Sequence, residues 1–420
     1  MIRLLVAALV SATISIPLAA QATVTPEPGS ALTVYLLTMG PGDQVWEKFG
    51  HNAIWIHDEA NHTDIAYHWG LFDFADENFL PNFVKGRMRY SMGAFDFDDT
   101  INQYRLTNRT VWAQKLNMTP AQKQKLAQFV AWNVLPGNRY YRYDYFRDNC
   151  STRVRDAIDG ALGGIIKAQT EKPSSHSTYR FHTSRLTQDD WPVFTGTMMG
   201  LGEPTDRDIS VHEEMFLPVR MKDRLKSVTV ATPSGVQPLV LEERVLFQAT
   251  RPAEESTVHR GILNYLLISL LILAFGYFLW ALGGKGARTG FVLSLAAVWS
   301  FVAGIAGIFL AGLWAVTDHI YSYRNENLFQ LNPLSLILAF LLIGFAVRLR
   351  RNPDTVPSRG LMRWARVVAG LAVLGFIAQV LPSLDQVNGD VIALTLPLHL
   401  GVLALIAAIE SRNSQRPEPV

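Results

Sequence analysis

Cysteine is almost missing: Cys150 is the single thiol in 420 residues, which excludes a disulfide scaffold. A marked excess of basic or acidic side chains is missing as well. The 38 basic and 36 acidic side chains leave a net charge of +2 without any long Lys/Arg run, so the footprint of a nucleic-acid partner is absent. The histidines lack paired ligand spacing and there is no second cysteine, so no metal and no cofactor is expected. Internal repeats and low-complexity tracts are also lacking. What is present is unevenly spread. Almost all long apolar runs lie within the first twenty residues or after Gly261, and the middle is an ordinary soluble mixture rich in Trp, Tyr and Phe. That division implies a membrane protein with a soluble head.

Residues 1–22 read as a removable signal peptide, with a basic start at Arg3, an apolar stretch from Leu4 to Ala19 and the small-x-small site Ala20-Gln21-Ala22. An uncleaved anchor is the alternative, and either one exports the head, residues 23–250. After a polar linker, 251–260, five apolar runs occupy 261–283, 290–316, 333–349, 365–383 and 390–410, each close to the roughly 20 residues that cross a bilayer. With the head outside, Lys285, Arg288, Arg348, Arg350, Arg351, Arg359, Arg363 and Arg366 fall inside and Arg324 alone falls outside. The positive-inside rule therefore gives the same orientation as the signal peptide. The tail, 411–420, ends in the cytoplasm.

Within the head, alternation predicts strands at Leu32–Thr38, Gly50–His57 and Asp64–Gly70, the last two pairing as a hairpin. Gly50 leaves room for close backbone approach before His51. Helices are expected at Asp98–Leu106 and Ala121–Val134, the second started by Thr119 and Pro120. A late hairpin is expected from Ser227–Thr232 and Val236–Phe247 around Pro233-Ser234-Gly235.

The chemistry gathers at Cys150. Asp148 and Asn149 are strong cap residues, and Val154, Ala157, Ile158, Ala161 and Leu162 repeat behind them at helical spacing, so Cys150 occupies the first turn of a helix on its packed side. The macrodipole there favours the thiolate, the nucleophilic form. A small buried hydrophobe is the alternative role for a lone cysteine. A nucleophile needs an imidazole, and spacing does not choose among His51, His57, His62, His68, His176, His182 and His212. His51 opens an apolar strand after a glycine, His57 and His62 flank a polar turn, and His68 lies on the adjacent strand. A His, a second polar group on the next strand and a Cys at a helix start have the order of a papain-like thiol site whose halves are permuted.

Four stretches carry a family resemblance: Phe49-Gly50-His51-Asn52-Ala53-Ile54, Tyr67-His68-Trp69-Gly70-Leu71-Phe72-Asp73-Phe74, Arg139-Tyr140-Tyr141-Arg142-Tyr143-Asp144 and Asp148-Asn149-Cys150-Ser151-Thr152-Arg153-Val154-Arg155-Asp156. They resemble the Lnb family of bacterial lipoprotein N-acyltransferases. Thr317-Asp318-His319-Ile320, Asn325-Glu326-Asn327-Leu328-Phe329 and Asn332-Pro333-Leu334 look like its membrane-domain signature, and Glu214-Met215-Phe216-Leu217-Pro218 matches a weaker one. The resemblance implies an α+β fold, a permuted papain-like periplasmic thiol domain followed by an all-α five-helix transmembrane domain in the bacterial inner membrane. It implies Cys150 as nucleophile, His51 as base and His68 as the orienting group, although that last position is commonly Asn in such sequences. The expected partners are a membrane phospholipid donor and a diacylated lipoprotein acceptor. His319, Asn325 and Asn327 are expected either to form the floor of the site or to belong to a hydrated interfacial loop with Trp314 and Tyr321. His399, beside Pro397 in the last span, is expected to satisfy a kinked backbone. Two other functions fit the residues: a membrane-anchored thiol peptidase or amidase acting on cell wall, and a non-catalytic periplasmic binding or assembly protein.

Overall fold

The computed structural model describes residues 27–259, 261–282 and 286–414. The expected signal peptide, Lys285 and the end of the tail lie outside them. Alternating apolar side chains build β1 (Leu32–Met39), β2 (His51–Asp58) and β3 (Thr63–Leu71), and the short helix α1 (Phe79–Lys85) precedes β4 (Arg89–Asp96). The Asp96 carboxylate accepts the N–H groups of Asp98 and Asp99 and starts α2 (Phe97–Leu106), followed by β5 (Val111–Leu116). Thr119 and Pro120 start α3 (Pro120–Asn133) as their residue types require. Next come β6 (Tyr140–Arg142), α4 (Cys150–Leu162), α5 (Ile165–Thr170), β7 (Ser174–Thr178), α6 (Tyr179–Thr187) and α7 (Trp191–Gly200). The head closes with β8 (Asp208–Ser210), α8 (Val211–Glu214), α9 (Pro218–Leu225), β9 (Thr229–Thr232), β10 (Gly235–Pro238) and β11 (Val240–Phe247).

Seven strands form one antiparallel sheet in the order β11-β5-β1-β2-β3-β4-β6. Its two faces bury different sets, as a period of two dictates. Leu36, Ile54, Ile56 and Trp69 pack beneath α3 and α4, and Leu37, Ala53 and Ala66 pack with Ile101 of α2. On α4 the stripe Val154, Ala157, Ile158, Ala161 and Leu162 is buried, and each larger member adds roughly 1.5–3 kcal/mol. The late hairpin is half of what its sequence suggested. Only Gly235–Pro238 pairs with β9, and the chain then crosses to the main sheet, where β11 lies beside β5. Leu239 makes the switch: fully buried, it donates to Val228 O and accepts from Asn117 N–H, and Pro238 has no N–H to extend a hairpin ladder.

All five C-terminal apolar runs lie on helices: α10 (Ile262–Ala281), α11 (Ala287–Val316), α12 (Ser335–Arg351), α13 (Arg359–Ala378) and α14 (Gly389–Ser414). Four are long and apolar enough to cross a membrane, and α12, with 17 residues ending in Arg348, Arg350 and Arg351, is shorter. The loops between α11 and α12 and between α13 and α14 touch the head, and the arginine-rich ends lie away from it. Tyr321 joins Phe146, Tyr179 and Phe216 in a shared apolar core, and Gly202 N–H donates to Tyr321 O at 2.7 Å. Asp318 pairs with Arg87 at 2.8 Å and Arg142 at 2.9 Å. The linker is strapped down too: Arg251 donates to Asn108 O, Glu254 pairs with Arg185, and Gln188 Nε2 donates to Thr257 O.

Candidate active site

Cys150 opens α4, as its flanking residues require. The Asn149 side chain accepts from Ser151 and Thr152 N–H, and Asn149 N–H donates back to Thr152 Oγ1. The Asn149 amide then donates to Tyr145 O and to Phe216 O, both at 3.0 Å. The next residue anchors this turn to the sheet. Ser151 Oγ lies 2.8 Å from Asn52 Oδ1 and 2.7 Å from Met215 O, while Asn52 Nδ2 donates to Thr38 Oγ1 and Leu37 O. The stretch Glu214-Met215-Phe216-Leu217-Pro218 therefore frames the site through its carbonyls, and Pro218 packs against Gly50.

Two glycines admit the site's backbone. Gly50, at φ +81°, brings β2 in beside Met39 O, as expected of it. Gly70, at φ +90°, breaks the β3–β4 register, and a Cβ there would stand 3.2 Å from Cys150 Cβ. The only sequence signal for this contact was a glycine within a strand pattern.

His51 and His68 meet at the same end of the sheet, with His51 Nε2 3.0 Å from His68 Nδ1. Behind them Thr100 Oγ1 lies 3.5 Å from His68 Nε2 and donates to Asp96 O at 2.9 Å. This chain has one consistent direction. Because the Thr100 hydroxyl donates its proton to Asp96 O, the tautomers consistent with the chain have Thr100 accept from His68 Nε2–H and His68 Nδ1 accept from His51 Nε2–H. His51 Nδ1 is then the unprotonated nitrogen, the one suited to a base.

The electrostatics correct one expectation. The cap position does favour a thiolate, since Asn52 and Ser151 N–H and the Arg109 charge all pull the Cys150 thiol down. Burial outweighs them, and the thiol rises above its ordinary value. Burial holds His51 well below the usual imidazole range, with His68 adding to the effect, and lowers His68 to about 4. The resting pair is a neutral thiol and a neutral imidazole. Arg109 was not foreseen. It is 5% exposed, donates to Gly40 O and Glu47, lies over Tyr104, which in turn stacks on His51, and keeps its Nη2 buried without a partner.

The other candidates lie elsewhere. His57 bonds Asp64, and His62, in the β2–β3 turn, and His176, within β7, are exposed at positive φ. His182 is buried against Ser177, Glu214 and Arg185, and His212 meets Thr170. His319 Nε2 bonds Phe83 O at 2.8 Å, Asn325 Nδ2 donates to the carbonyls of Met199 and Gly200, and Asn327 Nδ2 donates to those of Met198 and Met199. These three join the membrane loop to α1 and to the end of α7, and His319 also stacks at 6.3 Å on Tyr145, whose carbonyl accepts from the Asn149 amide. The open carbonyls at a helix C-terminus are what an asparagine amide satisfies. Among the described residues no three His, Cys, Asp or Glu side chains converge as a metal site requires.

The model of the Lnb N-terminal periplasmic domain matches residues 25–185, and that of the Lnb transmembrane domain matches residues 258–409. No curated protein and no solved structure matches the chain.

Proposed function

The chain belongs to the Lnb family, and from that premise we propose that it is a lipoprotein N-acyltransferase acting through a Cys150 thioester. The observation that carries the reading is a cap-positioned Cys150 whose thiol takes the N–H of Asn52, the residue after His51 of the His51–His68 pair, in a head joined to apolar helices. As the sulfur attacks an ester carbonyl of a membrane phospholipid, His51 Nδ1 takes the thiol proton. In this reading the backbone N–H groups of Asn52 and Cys150, which favour the thiolate at rest, serve as donors to the developing oxyanion. Collapse expels a lysophospholipid alkoxide, which takes the proton from His51 and leaves the acyl chain on sulfur. The N-terminal amine of a diacylglyceryl-cysteine then attacks the thioester. His51 accepts the amine proton and returns it to the departing thiolate, forming the amide and restoring the thiol. A neutral resting pair suits this sequence, because the proton moves only when the carbonyl is in place. In this reading the head is a permuted papain-like domain on the outer side of the inner membrane, and all five helices span it.

The test uses the purified full chain in phospholipid vesicles with a diacylated lipopeptide. Mass spectrometry should find one added acyl chain on the peptide amine, absent with Cys150→Ala or His51→Ala. Free fatty acid with no acylated peptide would overturn the transfer reading in favour of hydrolysis.

A further inference from the structure

One part of the head exposes an apolar surface that its fold does not use. On α1, Leu80 (66% exposed), Phe83 and Val84 (53%) share a face at i, i+3 and i+4, and Phe74 (61%) and Trp46 (54%) extend it. The rings are continuous: Trp46 meets Phe74 at 5.6 Å, Phe74 meets Phe72 and Phe79 at 4.9 Å each, and Phe79 meets Phe83 at 6.3 Å. A patch of this kind on a head marks an interaction surface.

Its location identifies the occupant. Lys85 O accepts from Asp318 N–H at 2.9 Å, Phe83 O bonds His319, and Gly86 at φ +69° abuts the Asp318 and His319 backbone. Asp318 is two residues beyond the end of α11, whose last turns expose Trp314 and Val316. The apolar face of α1 thus continues the apolar surface of a membrane-length helix at the level where that helix ends. Lys85, Arg87 and Arg142 rim it, as basic residues do at a lipid headgroup boundary. Asp73, Asp76 and Glu77 are exposed in the loop before α1, where Asp73 and Asp76 accept from Ala75 and Asn78 N–H.

The same aromatics lead to the thiol. Phe72 contacts Tyr90 at 5.1 Å and Tyr90 stacks on Tyr143 at 4.1 Å. Tyr143 and Tyr141 in turn stand close enough to Cys150 for a thiolate there to help keep their hydroxyls protonated. Beside this wall is a cavity of about 670 Å³ that starts at Leu71, next to Gly70, and is lined by Phe72, Phe79, Met92 and Phe95. Asp73, Asp76, Asn82, Arg89, Ser91 and Arg139 also line it, so the cavity offers apolar and polar walls together, as an amphiphilic ligand requires.

We propose that α1, with Trp46 and Phe74, lies in the bilayer leaflet facing the head and is the port through which a lipid acyl chain passes to Cys150. The role as a port rests on the acyl-transfer reading above; the contact with lipid does not. The single cysteine makes the test direct. In a Cys150→Ala background, Phe83→Cys carries an environment-sensitive fluorophore, and Asn61→Cys, in the exposed turn that joins β2 to β3 at the end of the hairpin away from His51, serves as the control. The full chain is placed in phosphatidylethanolamine and phosphatidylglycerol vesicles containing lipids brominated on the acyl chain. Quenching at residue 83 and not at residue 61 is expected, and equal quenching at both, or none, overturns the contact. With Cys150 intact, Leu80→Glu together with Phe83→Glu should lower the ratio of acylation by bilayer phospholipid to acylation by a water-soluble short-chain thioester more than tenfold. An unchanged ratio overturns the port. Quenching in a protein whose wild type transfers no acyl chain would uphold the lipid contact and reject the transfer reading.

Discussion

Replacing His68 with leucine removes the acceptor for His51 Nε2–H, 3.0 Å away, without opening a large void. The stranded N–H lies in a site where burial already holds His51 far below its usual range, and leaving a buried donor unpaired costs about 1–3 kcal/mol. Part of that loss is relieved by rotation of the ring, which takes Nδ1 out of line, and misplacement by an ångström costs up to roughly 100-fold in rate. A 10- to 100-fold fall in acyl transfer is therefore expected of His68→Leu. His68→Asn should stay within about threefold of wild type, because its Oδ1 accepts the same hydrogen bond. The pH profile adds a second sign. The His68 charge is one of the causes depressing His51, so a partner that does not titrate lets the His51 value rise, and the acid limb of kcat/KM should move to higher pH in His68→Asn. The assay is acylated lipopeptide by mass spectrometry across pH 5–9, with a melting curve for each variant. Wild-type rates and an unmoved acid limb in His68→Leu, with His51→Ala inactive, would refute the directed His51–His68–Thr100 chain.

Gly70→Ala adds left-handed strain of about 1–2 kcal/mol and sets a methyl 3.2 Å from Cys150 Cβ; alkylation of Cys150 and acyl transfer should both fall at least about tenfold, and unaltered alkylation would show that the contact is slack. Arg109→Met removes a charge that favours the thiolate, so the midpoint of the pH dependence of Cys150 alkylation by iodoacetamide should rise; a midpoint unchanged or lower would exclude Arg109 from the site's electrostatics. His68, lowered to about 4 by burial, takes up its proton in the unfolded chain before the folded one. Stability is accordingly full above about pH 6.5 and falls as the pH drops toward 4, by up to about 3 kcal/mol from this group. Denaturant melts at pH 7, 5.5 and 4.5 should show a shallower acid loss in His68→Asn than in wild type, and parallel losses would reject a buried neutral His68.

Features written within a few residues were legible before any fold was known. The Asn149 cap, the apolar stripe behind Cys150, the Thr119-Pro120 helix start and the alternation of β2 and β3 each follow from local sterics and hydrogen bonding. Hairpin pairing of β2 with β3 then puts His51 and His68 on adjacent strands, and the apolar runs after Gly261 could only be buried helices or spans. What tertiary structure decided is everything that depends on which distant groups exclude water together. Arg109 reaches the site because β5 lies beside β1, Gly70 matters because α4 crosses it, and β11 leaves its hairpin because Leu239 is buried where its carbonyl accepts from the N–H of Asn117, 122 residues earlier in the chain. The same closure sent Asn325 and Asn327 to the carbonyls of α7 and let burial overrule the helix dipole at Cys150. Caps and periodicity are local energies, read from neighbours in the chain. Burial is a property of the closed fold, and it sets the protonation states on which the chemistry depends.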